Sequence, residues 1–431
     1  MWRILETDIV PVSTPSSKHQ RSFLPRLSWG LFLCLLLAAF FVTAGVPTGI
    51  TFLLGALVAI LLAWRYPYIG LYLFILTAPL IGFVISISTG NIEIGERTFG
   101  GSIDVLVGEL VAAAVLAAWA IRLFFFRREK GRDDSIPWLP LAIPYLVLVG
   151  AHVLSAFSSA LPDPLLVLKY AVRPVLFVYV SSVILPVNFI RSRRRLLNAF
   201  LFMGLVGLFF AFDGIRSLFN LGEGFYRAHP LPILGFIPIG DNHNVFAELL
   251  LTTFPFVFAW GVLMKDMVYE RWAAYVACLM MLIAVLTFAR SAWITLLIQL
   301  IFLSVTLWRD WLKDHAKQVG RGIILAMPFI FYMMALSLGP KVQGSTDARA
   351  MLTGIASHLF WENPWIGVGA GTFVDRINHT WIFTYEYGAA MDSHGIIQKV
   401  MAETGIVGLI ALAVVFFVLA RTLWMMRGGL K

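Results

Sequence analysis

Residues 396–420 read Ile396-Ile-Gln-Lys399-Val-Met-Ala-Glu403-Thr-Gly-Ile-Val-Gly-Leu409-Ile-Ala-Leu-Ala-Val-Val-Phe-Phe-Val-Leu-Ala420, and after Glu403 no charge follows until Arg421. A helix needs about 20 apolar residues to cross the hydrocarbon core of a bilayer, and this stretch meets that length. Twelve such runs occur along the chain, near 28–46, 48–64, 67–88, 103–125, 137–157, 164–185, 196–217, 243–264, 272–289, 291–308, 321–338 and 396–420. The second and tenth are short, and the ninth and tenth meet in a tight turn at Ala289–Ser291. The expected fold is an all-α polytopic membrane protein of about twelve transmembrane helices.

Composition agrees. Of 431 residues, 59% are hydrophobic and 13% charged, and the mean hydropathy is +0.84. A soluble domain is nearer half apolar and a quarter charged, so a water-soluble enzyme, a disordered chain and a disulfide scaffold are excluded. Cys34 and Cys278 both lie in apolar runs and say little about redox compartment.

The net charge of +9 is explained by topology. Basic residues cluster in alternate loops: Arg127 to Arg132, Arg191 to Arg195, Lys265 with Arg271, and Arg309 to Arg321. The N-terminal Arg3, Lys18, Arg21 and Arg26 and the C-terminal Arg421, Arg427 and Lys431 fall on the same side if there are twelve spans. Basic residues accumulate on the cytoplasmic side. Both termini are therefore expected in the cytoplasm, with lipid surface and not nucleic acid as the partner of the positive charge. Residues 1–27 read as a cytoplasmic N-terminal tail, and 28–425 as one transmembrane domain with longer outer segments near 88–102, 218–242 and 339–395. Long ordered loops on one face commonly carry function.

The extracytoplasmic loop 339–395 holds most of the chemistry. Ser345 or Thr346 caps an expected amphipathic helix near 346–361, whose Ala348, Met351, Leu352, Ile355, Leu359 and Phe360 recur at helical spacing. Ile366-Gly-Val-Gly-Ala-Gly-Thr-Phe373 follows; without Lys-Ser/Thr it is not a nucleotide-binding loop and reads as a packed turn. His394 stands at the mouth of the last span, flanked by Asp392, and imidazole suits a general base near neutral pH. Lys399 and Glu403 are four apart on one helix face, either as a structural pair or as part of a site. Arg227 and Arg290 also lie on this outer side, where basic residues are scarce. Arginine grips phosphate oxygens bidentately; the alternative is interfacial snorkelling.

Asp104, Glu109, Lys169, Arg173, Asp213 and Glu248 fall within or at the edges of spans, where either structural pairing or an ion pathway accounts for them. His229, His243, His358, His379 and His394 share the outer side but show no tight metal-ligand spacing.

Four stretches resemble the O-antigen ligase and O-antigen polymerase superfamily, which transfers bacterial glycans from lipid carriers. They are Gly240-Asp-Asn-His-Asn-Val-Phe-Ala-Glu248, similar to an Asn-x-x-Ala helix start and including Asn244; Thr287-Phe-Ala-Arg-Ser-Ala-Trp293, similar to a Ser-Arg-Gly-Ala-Trp turn; Arg349 to Phe373; and Asp392-Ser-His394 through Gly408. The likeness covers about residues 225–420, and the first half matches only in hydropathy. The sequence departs from the family pattern at Ala289, Ser291 and Gly395, the last bearing more on acceptor preference than on chemistry.

The resemblance implies a GT-C-like bundle with a large periplasmic loop, in the bacterial cytoplasmic (inner) membrane. It implies a donor glycan on undecaprenyl diphosphate and an acceptor hydroxyl on lipid A-core, a glycan or a protein. Arg227, Arg290 and Arg349 are the implied diphosphate contacts, His394 the base, and Asp392, Asn244, Lys399 and Glu403 the supporting residues. The implied reaction inverts the sugar carbon and uses no metal and no cofactor. Within this reading a ligase is favoured over a repeat-unit polymerase, because the His394 loop runs directly into the last span. From another class, a secondary transporter or flippase would use the intramembrane charges; no pair of Gly/Pro-broken spans recurs in corresponding halves to support it.

Overall fold

The computed structural model describes residues 66–94, 97–125, 139–157, 173–219, 227–233, 237–240, 242–264, 266–306, 316–337, 340–378, 380, 383, 385 and 395–426. The expected tail 1–27, the first two spans, Lys169, His379, Asp392 and His394 lie outside the described residues.

The described chain is mostly helical. Its elements are α1 (Pro67–Thr77), β1 (Val84–Ile94), β2 (Arg97–Leu106), α2 (Val107–Phe125), α3 (Ala142–Ala156), α4 (Arg173–Tyr179), a π-helical turn (Val180–Ile184), α5 (Leu185–Phe189), α6 (Arg193–Leu218), α7 (His243–Met264), α8 (Met267–Leu286), α9 (Arg290–Thr306), α10 (Ala316–Ser337), α11 (Pro340–Glu362), α12 (Phe373–Asn378) and α13 (Ile396–Met426). Among the described residues four helices are long and apolar enough to cross a membrane: α6, α7, α8 and α13. Shorter apolar helices occupy parts of other expected spans, including Val107–Ile121, Ala142–Ala156 and Arg290–Ser304.

The all-helical expectation misses one element. The expected spans 67–88 and 103–125 both yield at their adjoining ends to an antiparallel hairpin, in which Val84 pairs with Leu106 and Ile94 with Arg97, with a register shift between Ser88 and Asn91. The segment Ile85-Ser-Ile-Ser-Thr alternates apolar and polar residues, which is strand and not helix periodicity. Gly82 N–H donates to Pro238 C=O at 2.8 Å, tying the hairpin base to the segment before α7.

Two packed groups position the site. The larger core joins α6, α7, α8 and α9 around Phe210, Phe246, Leu250, Phe254, Met280 and Ile283. Small residues let these helices approach closely, as membrane helix packing favours: a Cβ on Gly214 would meet Ile283 and Phe246, and one on Gly207 would meet Met280 and Thr253. A second core joins α11, the segment 368–383 and Ala402 of α13 around Leu352, Ala356, Phe373, Ile377 and Phe383. Helix α11 begins at Pro340, upstream of the expected 346; proline suits the first turn of a helix. The buried Ala348, Leu352, Ala356 and Leu359 follow the expected apolar face.

Helix α13 is broken at Gly405, whose φ of 61° and ψ of −155° are not helical. The break is filled by the glycine stretch. Ile406 N–H donates to Pro364 C=O at 2.9 Å and Val407 N–H to Trp365 C=O at 3.2 Å, while Val368 and Gly369 N–H donate to the carbonyls of Ala402 and Glu403 at 3.0 and 3.1 Å. The glycine stretch is therefore a packed turn locked against the kinked helix.

Two of the charges expected within or at the edges of spans have structural partners. Glu109 accepts from Arg173 Nε at 3.1 Å and pairs with its terminal nitrogen, and it also accepts from Leu106 N–H at 3.1 Å. Buried Asp213 accepts from Leu231 N–H at 3.1 Å and pairs with Arg216 at 2.7 Å. Asp213→Ala is expected to cost about 1–3 kcal/mol, because it strands a buried N–H, whereas Asp213→Asn keeps the acceptor and costs less. Thermal unfolding of the two variants in detergent checks the order.

Candidate active site

A cavity of about 1020 Å³ opens between α7, α9, α11 and the start of α13. Its wall includes Asn244 and Glu248 from α7, Ser291 and Thr295 from α9, Arg349 from α11, and Gly395 with Gln398 from the beginning of α13. Drug-sized ligand pockets run to about 1000 Å³, so the volume suits a small organic ligand.

Each wall is built locally. Asn242 Oδ1 accepts from Asn244 N–H at 2.9 Å and Asn242 C=O accepts from Phe246 N–H at 3.0 Å, so Asn242 starts α7 as an Asx-type cap and fixes Asn244 in the first turn. The turn into α9 is similarly constrained. Buried Thr287 donates its hydroxyl to Ala284 C=O at 2.7 Å and accepts from Ala289 N–H at 3.3 Å, and Trp293 Nε1 donates to Val285 C=O at 3.0 Å. Phe288 between them has φ of 58°, a left-handed conformation uncommon for a bulky residue and concentrated at functional turns. On the far side, Gln398 Nε2 donates to Thr353 Oγ1 at 2.7 Å, joining α13 to α11.

Arg349 is partly buried, and its Nε makes no hydrogen bond. Such an orphaned donor is costly unless a ligand meets it. Arg290 is the first residue of α9, and its neighbours Ser291 and Ala292 line the cavity. His394 lies outside the described residues, one peptide before the wall residue Gly395. Arg227 is not a wall residue. The next residue, Ala228, donates its N–H to Leu286 C=O at 2.8 Å and is fully buried, which pins Arg227 beside the α8–α9 turn that carries Arg290.

Lys399 and Glu403 are also outside the wall. Glu403 is buried, at 3% exposure; its Oε1 accepts from Phe373 N–H at 3.1 Å at the start of α12, and its carbonyl accepts from the Ser155 hydroxyl of α3. Its carboxylate thus anchors the segment after the glycine turn.

Sequence reading does not single out Thr252, Thr295 or Gln299, all of which line the cavity. The available signal is spacing: Asn244, Glu248 and Thr252, like Ser291, Thr295 and Gln299, are polar positions four apart in otherwise apolar runs.

No curated protein and no solved structure matches the chain. The family model described as O-antigen ligase does match, over residues 275–413, a stretch that takes in the α8–α9 turn, Arg349, the glycine lock and much of α13, and this part of the chain is therefore similar to the O-antigen ligase family.

Proposed function

We propose that this integral membrane protein transfers a glycan from undecaprenyl diphosphate to an acceptor hydroxyl on the periplasmic face of the inner membrane, as an O-antigen ligase does. The observation that carries the reading is the cavity itself. It brings Asn244 and the unpartnered Arg349 Nε together with the residues next to Arg290 and His394.

In this reading the donor diphosphate is held by Arg349 and Arg290, with Arg227 alongside. The bond between the sugar anomeric carbon and the diphosphate oxygen breaks, and its electron pair leaves on undecaprenyl diphosphate. The acceptor oxygen forms the new bond from the opposite face, inverting that carbon, and its proton passes to a ring nitrogen of His394. Fixed arginines stabilise charge growing on the leaving group, the kind of electrostatic help that supplies much of enzymatic rate enhancement; the reaction as drawn requires no metal. Asp392 orients His394, Asn244 steadies the substrate at the α7 start, and Lys399 and Glu403 support the α13 entry. The acceptor is lipid A-core, another glycan or a protein.

The test uses purified protein in proteoliposomes with a defined undecaprenyl-diphosphate oligosaccharide, with products followed on a gel. Transfer that appears only when lipid A-core or a glycoprotein acceptor is added identifies a ligase. Longer lipid-linked chains without added acceptor identify a repeat-unit polymerase. No product in either case rejects the reading. In the same assay Arg290→Ala is expected to weaken donor use about tenfold and Arg290→Lys less, since lysine keeps the charge but not the bidentate fork. Wild-type behaviour of both variants removes Arg290 as an anion contact.

A further inference from the structure

Helix α7 presents Asn244, Glu248 and Thr252 to the cavity, and α9 presents Ser291, Thr295 and Gln299. Each set is spaced i, i+4, i+8, so each forms a polar stripe along one helix face. The stripes run about 12 Å, given a rise of about 1.5 Å per residue. Their inner end is closed where Gln299 Nε2 donates to Leu251 C=O at 3.1 Å. That bond fixes the amide orientation: flipping it would set two carbonyl oxygens together. Gln299 Oε1 is left buried without a hydrogen-bond partner. Among the described residues, no hydrogen bond or ion pair engages the side chains of Glu248, Thr252 or Thr295, although all three are exposed to the cavity.

The cavity is also polarised. Among its described wall residues Arg349 is the one cation and Glu248 the one carboxylate. A diphosphate belongs at the Arg349 end, because an unneutralised Glu248 repels it. What remains between the stripes is a groove of amide, hydroxyl and carboxylate groups, including two acceptors without donors. That inventory matches a neutral molecule with several hydroxyls.

We infer that the facing stripes of α7 and α9 form the subsite for the neutral sugar joined to the donor diphosphate, with Gln299 and Glu248 as the residues that determine its fit. This rests on the proposed lipid-linked donor. Gln299 Oε1 accepts from one sugar hydroxyl or amide N–H, Glu248 accepts from others, and Thr252 and Thr295 complete the set. A site built to bond such groups discriminates strongly against a ligand lacking them.

The experiment measures binding of undecaprenyl diphosphate, and of undecaprenyl diphosphate bearing a single hexose or a single N-acetylhexosamine, to the full chain in nanodiscs. Wild-type protein is expected to bind at least one sugar-bearing lipid about tenfold tighter than the bare carrier, the scale of one or two charge-assisted hydrogen bonds. Gln299→Leu is expected to erase that advantage while changing bare-carrier binding by less than about twofold, and Glu248→Gln to shrink it, with bare-carrier binding unchanged or tighter because the repulsion of the diphosphate is removed. Arg349→Ala is expected to weaken both kinds of lipid. Thr295→Val, nearly the same shape, gives a smaller loss confined to the sugar-bearing lipids and guards against misfolding of the Gln299 variant. If wild type binds no sugar-bearing lipid better than the bare carrier, or if Gln299→Leu and Thr295→Val weaken all lipids alike, the subsite is overturned. If no lipid binds, the donor reading fails, and the subsite with it.

Discussion

His394→Ala is expected to lower the rate of glycan transfer by about 10²- to 10⁴-fold, the contribution usual for a positioned general base, while leaving donor binding within about twofold. Place and chemistry both point to this residue. His394 is joined by one peptide bond to Gly395 on the cavity wall, and the helix that follows starts there, with Lys399 N–H donating to Gly395 C=O at 3.1 Å. The Gln398–Thr353 bond at 2.7 Å holds that helix start against α11, the helix that carries Arg349. The acceptor hydroxyl is a poor nucleophile until its proton is taken, and no arginine can take it. The loss should therefore appear in turnover with saturating donor, not in donor affinity. Arg349→Ala should show the opposite division, with the larger loss in donor affinity. Pre-formed donor complexes followed through a single turnover separate the two. A His394→Ala variant that turns over at the wild-type rate with normal membrane insertion would remove His394 as the base.

Much of this site is legible in the sequence. The boundaries of α7 follow from apolar run length, and the tight α8–α9 turn from the interruption at Ala289–Ser291, although α8 ends three residues before the expected 289. The buried face of α11 follows from the spacing of Ala348, Leu352 and Leu359. Other parts are not legible. The hairpin at 84–106 disappears into neighbouring apolar runs, because a 20-residue hydropathy window averages over the alternation that marks a strand. The groove stripes are hidden for a related reason: Thr252, Thr295 and Gln299 do little to lower mean hydropathy, and only the facing of α7 and α9 turns two separate spacings into one lined groove. Glu403 reads as a partner for Lys399 because i, i+4 pairs meet on a helix; the break at Gly405 and the return of the glycine turn also bring the Phe373 N–H to its carboxylate. Tertiary contacts of that kind have no local signature.

The glycine lock yields the largest expected effect on folding. Gly405 and Gly367 both have positive φ, of 61° and 73°. At Gly405 a Cβ would come within 2.6 Å of the carbonyl carbon and oxygen of Trp365 and 2.7 Å of Gly367 N; at Gly367 it would strike the Glu403 carbonyl and Thr404 N. In each case the obstacle is main chain already committed to the hydrogen bonds that fill the α13 break, so it cannot swing aside as a flexible side chain can. Left-handed strain alone costs about 1–3 kcal/mol, and displacing the locked backbone adds the loss of buried hydrogen bonds at about 1–3 kcal/mol for each stranded group. Gly405→Ala and Gly367→Ala are each therefore expected to destabilise by about 4 kcal/mol or more, a loss confined to a few mechanisms of which backbone collision is one. Gly354 on α11 is the control: a Cβ added there would meet nothing within 4 Å, and Gly354→Ala should be neutral or stabilise by about 0.5–1 kcal/mol through helix propensity. Thermal unfolding of the three variants in detergent, with donor binding measured on whatever remains folded, checks the ordering. Because the lock sets where α13 begins its span, and therefore where Gly395 and Gln398 meet α11, a Gly405→Ala protein as stable as Gly354→Ala would show that the kink is dispensable and that the cavity wall is held by α11 alone.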